Sequence, residues 1–273
     1  MVRYVLLWAL PSLLCAADSR IDHVTIAGSE LKQMQAKLAA VGIASVYGGA
    51  HSNQATEMAL VSFPDGSYLE LMAIPPNAAA AAVARHAWSK FLQENAGPCA
   101  WAMREKNLSA EVSRLKAAGI AVSAPVSSGR TRPDGVRLDW ETSDVGGETR
   151  GTFFPFLIQD RTPRAQRAFP QGKPVTREFR GVTRVVISVR NLDDAIQRYR
   201  QAYGVPRPIK QVDQSFQGSG GVGATAERRV VAGETDRAIW GRAVWVRAWR
   251  GQSRALPGGF EDTLVWRRNL LVR

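Results

Sequence analysis

One pattern occurs three times along this chain: an apolar strand-like run, a short polar turn, a helix with a single apolar face, and an exit at glycine. The copies begin near Asp22, Ala100 and Thr183. In the first, Ser29 stands where a helix cap belongs, and Leu31, Met34, Leu38 and Val41 recur at helical spacing before Gly42. In the second, Asn107 takes the cap position, Leu108, Val112 and Leu115 share a face, and Ala117-Ala118-Gly119-Ile120 closes the helix. The third has Asn191 as cap and Asp193 and Asp194 in the first turn, where the helix dipole favours anions. Its apolar face is Leu192, Ile196, Tyr199 and Tyr203, with Gly204 at the exit. A helix with one apolar face must cover something, so the repeat predicts like units of sheet and helix packed together.

Strand-like runs follow the first two helices, at 59–63 and 67–74 in one copy and at 136–142 and 152–158 in the other. The order is βαβββ, expected twice. The fold class is therefore α+β: paired βαβββ units form a curved mixed sheet with helices outside, plus a partial third unit. The pair is expected over residues 20–165, and the start of the further unit over 180–213. The Ala-rich segment 75–98 reads as a linking helix, with His86 on its surface or in packing. From 214 to 273 the chain turns rich in Gly, Arg and Trp, and Arg242, Arg247, Arg250, Arg267 and Arg268 break its hydrophobic alternation. No recognisable strands are expected there, and the segment reads either as out-of-frame translation or as a cationic surface arm.

The first residues carry a basic start, an apolar run from Tyr4 to Leu14 and small residues at Ala16 and Ala17. That is the composition of a secretory signal, and the run is shorter than the roughly 20 residues a spanning helix needs. Residues 1–17 are expected to be a cleaved signal peptide, which predicts an exported protein, periplasmic or extracellular, with no stable membrane span after cleavage. Cys15 would leave with the signal, so Cys99 would be the remaining thiol and no intrachain disulfide could form. Flanked by Pro98 and Ala100, Cys99 reads as packing.

The net charge of +12 is uneven: residues 178–273 hold 17 Lys and Arg against 9 Asp and Glu. The first 177 residues show no basic stripe with interleaved aromatics, so nucleic acid is not an expected partner.

Candidate chemistry lies in two strands of the first copy, Ile21-Asp22-His23-Val24-Thr25-Ile26 and Asp65-Gly66-Ser67-Tyr68-Leu69-Glu70-Leu71-Met72. Side chains alternate along a strand, so His23 shares a face with Thr25, and Glu70 shares one with Tyr68 and Met72. An ionised carboxylate amid apolar neighbours is costly, so Glu70 requires a cation, a proton or a hydrogen-bond donor. It is the foremost candidate catalytic residue, as a general base beside a neutral His23.

Asp22-His23-Val24, Gly48-Gly49-Ala50-His51 and the Asp65-to-Leu71 strand resemble the glyoxalase-like branch of the vicinal oxygen chelate superfamily, which groups glyoxalases, bleomycin-resistance proteins and dioxygenases. The resemblance spans about residues 20 to 160. It implies that His23 and Glu70 occupy the first pair of metal-ligand positions, with a second pair from the other unit. It also implies a divalent metal (Zn, Fe, Mn or Ni) and lyase, isomerase or dioxygenase chemistry on vicinal oxygens. The second unit departs from that pattern, with Ala100 at the place of His23 and Pro155 opposite Glu70. His51 would complete a metal set with His23 and Glu70 where its glycine-rich loop folds inward. The alternative is a metal-free cleft that sequesters its ligand. In either case the expected partner is a small molecule, with Thr25, Tyr68 and Met72 lining the substrate cleft. Completion of the paired units within one chain or across a homodimer stays open.

Overall fold

The computed structural model describes residues 19–206 and, between 209 and 272, the backbone of further strands. The expected signal at 1–17 lies outside the described residues. The first unit comprises β1 (Arg20–Ala27), α1 (Leu31–Ala40), β2 (Val46–Ala50), β3 (Glu57–Ser62) and β4 (Tyr68–Ala73). Two short helices, α2 (Ala80–Arg85) and α3 (Ser89–Gln93), lead to the second unit. That unit is β5 (Gly97–Arg104), α4 (Leu108–Ala117), β6 (Val126–Thr131), β7 (Arg137–Ser143) and β8 (Phe156–Asp160), followed by α5 (Arg164–Ala168).

The eight strands form one mixed sheet in the order β2-β3-β4-β1-β5-β8-β7-β6. β1 runs parallel to β4 and β5 parallel to β8, while β1 and β5 join the halves antiparallel. The sheet curls until its two edges meet. His51, just beyond β2, bridges Arg130 of β6, and the Ser52 hydroxyl donates to the Gly129 carbonyl at 2.7 Å. The Gly48-Gly49-Ala50 run, expected as a loop, is therefore mostly edge strand. A register shift between Tyr47 and Gly49 bends it toward β6, and Gly49 adopts φ +108°, a conformation that favours glycine.

The helices cover the convex face. Leu31, Met34 and Leu38 of α1 and Leu108, Val112 and Leu115 of α4 are buried in one core with Val24, Leu71 and Trp101. Burying each such leucine contributes roughly 1.5–3 kcal/mol. Asn107 caps α4 as expected, accepting from the Ala110 N–H at 3.0 Å. Ser29 does not cap α1; Glu30 holds that position with no side-chain bond, so α1 rests on its buried face. The single helix expected at 75–98 is broken at His86, whose extended backbone (ψ 131°) ends α2 and lets Trp88 reach the opposite, concave-side cluster with Met72, Trp140 and Phe156.

A third unit packs on the same convex core. β9 (Phe179–Val189) and α6 (Leu192–Tyr203) contribute Val185, Ile187, Leu192 and Tyr199 to it, and the Tyr199 hydroxyl donates to the Phe153 carbonyl at 2.5 Å. Asn191 caps α6, and Gly204 ends it in the left-handed conformation, φ 62°. The backbone continues as β10 (Ile209–Asp213), β11 (Gly218–Thr225), β12 (Arg228–Glu234), β13 (Val244–Arg250), β14 (Thr263–Arg267) and β15 (Leu270–Val272). In the sheet order β10-β11-β12-β9-β13-β14-β15, β12 lies parallel to β9 as β4 does to β1. The βαβββ order thus runs on past 213, and the segment from 214 contains strands that its broken hydrophobic alternation concealed. The reading of that segment as out-of-frame sequence rests on side chains outside the described residues.

Candidate functional site

The parallel register of β1 and β4 sets His23 beside Tyr68 and Thr25 beside Glu70. The imidazole of His23 stacks on the Tyr68 ring, centroids 4.8 Å apart and planes 3° from parallel. Its Nε2 lies 3.5 Å from Oε2 of Glu70. His51, brought inward by the seam with β6, sets its own Nε2 3.6 Å from Oε1 of the same carboxylate. His23, Glu70 and His51 therefore converge.

Burial pushes the Glu70 carboxyl upward, but the charges of His23 and His51, the His51 hydrogen bond and the Thr25 hydroxyl at 3.0 Å more than reverse this and bring it down to about 2. Glu70 is 5% exposed, so its partners within the protein replace water. The ring Nδ1 atoms are also engaged. That of His51 meets Thr56 Oγ1 at 2.9 Å, and that of His23 meets Asp22 Oδ1 at 2.6 Å, where a bulge in the β1–β5 register brings the adjacent side chains together.

Asp22 is held from behind by α5. Its Oδ2 pairs with Arg164 Nη1 at 2.5 Å and Arg167 Nη2 at 2.9 Å, and Arg167 Nη1 also donates to the Tyr68 hydroxyl at 2.7 Å. Burial raises the Asp22 carboxyl, and the two guanidiniums overcome it and hold it well below the usual carboxylate range. Arg167 is anchored in turn by Asp160 of β8. A carboxylate of this kind fixes the ring orientation of its histidine.

These groups open onto a cavity of about 550 Å³ on the concave side of the sheet. Tyr68 and Met72 are among its lining residues. Thr25 is not: it is fully buried, and its role is to donate to Glu70 from behind. His86, read as surface or packing, also lines the cavity, where the break between α2 and α3 places it against Trp88. Its Nδ1 accepts the Trp88 backbone N–H at 3.2 Å, and burial, with the charges of His51 and Arg150, pulls it down to about 4. The chain's three histidines thus share one cavity. Cys99 is buried in packing, with its thiol pushed up by burial.

The second unit supplies no matching polar pair. Thr25 pairs with Glu70, and its counterpart 77 residues on, Ala102, pairs with Phe156. Phe156, not Pro155, therefore stands at the place of Glu70, and its ring meets His23 edge-on at 5.4 Å. Ala100 stands at the place of His23. Among the described residues, no group of three or more His, Cys, Asp or Glu is arranged to hold a metal ion. With a methyl and a phenyl group in the paired positions, the residues do not fit the four-ligand site implied by the sequence resemblance.

A curved sheet of paired βαβββ units around a polar cleft defines a protein of the vicinal oxygen chelate superfamily. The chain belongs to the glyoxalase-like domain family, whose model matches residues 21–203. Among solved structures it is similar to a hypothetical protein from Staphylococcus aureus (14% identity, 80% of this chain and 87% of that one covered, TM-score 0.63). It is also similar to a variant of 4-hydroxymandelate synthase from Streptomyces coelicolor (10% identity, 86% and 72% covered, TM-score 0.60). At such identities the likeness establishes the fold. No curated protein matches the chain.

Proposed function

We propose that this protein binds a small oxygen-rich molecule in the cleft between its first two units, through His23, His51 and Glu70. The observation that carries this reading is the convergence of the three histidines and a buried carboxylate on one cavity. A volume of about 550 Å³ suits a small organic ligand. Glu70 serves as an anchor. At about 2 it holds positive charge and accepts hydrogen bonds, whereas a general base near neutral pH works best with a value close to the working pH.

Trp88 and Trp140 line the cavity, so ligand entry is read by tryptophan fluorescence. Screening small hydroxy and keto acids against the wild type, Glu70→Gln and His23→Ala tests the reading. Saturable quenching that weakens about tenfold or more in both variants supports it. Equal quenching in all three proteins sinks it.

The alternative reading of the same three side chains is a divalent-metal enzyme. Elemental analysis decides between them: stoichiometric Zn, Fe, Mn or Ni in the wild type, lost in Glu70→Gln, replaces the metal-free reading. Export directed by residues 1–17 is also proposed, from the composition of that segment. Amino-terminal sequencing of the secreted protein checks it, with a start near Asp18 expected and an intact Met1 overturning it.

A further inference from the structure

The cavity wall carries more arginines than direct ion pairs. Four arginines line it, with Glu70 and Asp144 as the lining carboxylates. Glu70 is engaged by His23 and His51, Arg150 pairs with Asp144, and Arg167 pairs with Asp22 and Asp160. Two arginines remain. Arg85 is exposed at the rim, and Arg130 is 1% exposed in the wall. Among the described residues, neither has a carboxylate within ion-pair distance.

Arg130 is the informative one. Its guanidinium donates to the carbonyls of Gly48 and, at 3.4 Å, Arg167. Those bonds satisfy donors, and Glu70 acts on the charge only from beyond ion-pair distance, so the buried guanidinium has no carboxylate in direct contact. Burial depresses its pKa, as expected for a cation removed from water, although a guanidinium stays protonated. The seam that closes the sheet puts Arg130 in register with His51, so it stands beside the His51–Glu70 pair. The rest of the wall includes Met72, Trp88, Trp140, Phe156 and Ile158, which offer an apolar surface to the body of a ligand.

We infer that Arg130 is an anion-binding residue of the cavity, and that the ligand is a carboxylic acid with an apolar body whose carboxylate makes the direct contact Arg130 lacks. This deepens the binding function proposed above and rests on it. A planar guanidinium fork suits a carboxylate, and the bond is charge-assisted on both sides.

The test uses 3-phenylpropionate and its neutral amide, 3-phenylpropionamide, as probes, with tryptophan fluorescence titrations of the full chain. The wild type is expected to bind the acid about tenfold or more tighter than the amide. In Arg130→Met that preference falls to within about twofold, while Arg130→Lys, which keeps the charge but not the fork, retains part of it. Thermal unfolding of each variant separates loss of fold from loss of preference. If Arg130→Met does not fold, the acid-over-amide ratio in Arg130→Lys decides: a reduced ratio supports the assignment, and an unchanged one overturns it. Equal binding of acid and amide to the wild type, or a preference that survives Arg130→Met, overturns the role of Arg130 and leaves the cavity as a binding site. Failure of both probes to bind the wild type overturns the ligand class. The cavity reading itself falls separately, where the hydroxy and keto acid screen ignores Glu70→Gln and His23→Ala.

Discussion

Thr25 and Glu70 face each other across the parallel β1–β4 pair, and the threonine hydroxyl donates to Oε2 at 3.0 Å. The hydroxyl has no access to the cavity, so its effect on a ligand is exerted through the carboxylate. Thr25→Val keeps the shape and removes the donor. Chemical denaturation should show a loss of about 1–2 kcal/mol, and the Glu70 carboxyl, followed by NMR titration, should move upward.

Glu70 also makes stability depend on pH. Its carboxyl falls from an ordinary 4.5 to about 2 in the fold. The folded state holds its proton less tightly than the unfolded chain, so the stabilisation is fully present above 4.5 and disappears as pH falls from 4.5 toward about 2. Asp22 loses stabilisation in acid for the same reason. The difference between wild type and Glu70→Gln isolates the Glu70 share: in acid titrations of the unfolding midpoint, the wild type should lose more stability than the variant across that window.

His86 should act in a higher window. It drops from an ordinary 6.5 to about 4, so the unfolded chain binds its proton first, and stability is lost as pH falls from 6.5 to about 4. His86→Gln removes that dependence. Unfolding midpoints measured between pH 7 and 4 should fall less in the variant than in the wild type.

The ion cluster behind His23 should be the most sensitive point of the fold. Asp22→Asn leaves Arg164 and Arg167 without their shared buried carboxylate, and breaking a buried pair in this way costs about 3–5 kcal/mol. Urea denaturation checks the magnitude. A loss below about 1 kcal/mol would show that Asp160 alone balances the arginines.

Gly49 tests the seam. At φ +108° an alanine is strained, and its Cβ would stand 2.8 Å from the Thr131 carbonyl oxygen. Gly49→Ala should cost more than about 1 kcal/mol and speed amide exchange at His51, whose N–H bonds to the Thr56 carbonyl at 2.9 Å.

The repeated helix faces, the glycine exits and the alternation that turns Glu70 and His23 inward were all legible in the sequence, because each depends on neighbours a few positions away. The site's supports were not. Arg164 and Arg167 reach Asp22 from more than 140 positions away, and nothing local to α5 announces a buried role. His86 was hidden by an alanine-rich run that favours one continuous helix, whereas burial of Trp88 breaks it. Arg130 lies on an edge strand with little apolar alternation, and only closure of the sheet shows that it is enclosed. The pairing of Phe156 with Ala102 is a matter of register, which local pattern leaves free by one residue.

The placement of α5 has a consequence for how the chain is made. Asp22 is among the first residues of the described fold, yet the arginines that neutralise it follow the last strand of the second unit. During synthesis the first unit emerges from the ribosome with a carboxylate that cannot be enclosed until residue 167 is free. Nascent chains stopped before α5 should hold His23 loosely, and the cleft should take its final form only when the helix that braces it from beneath arrives.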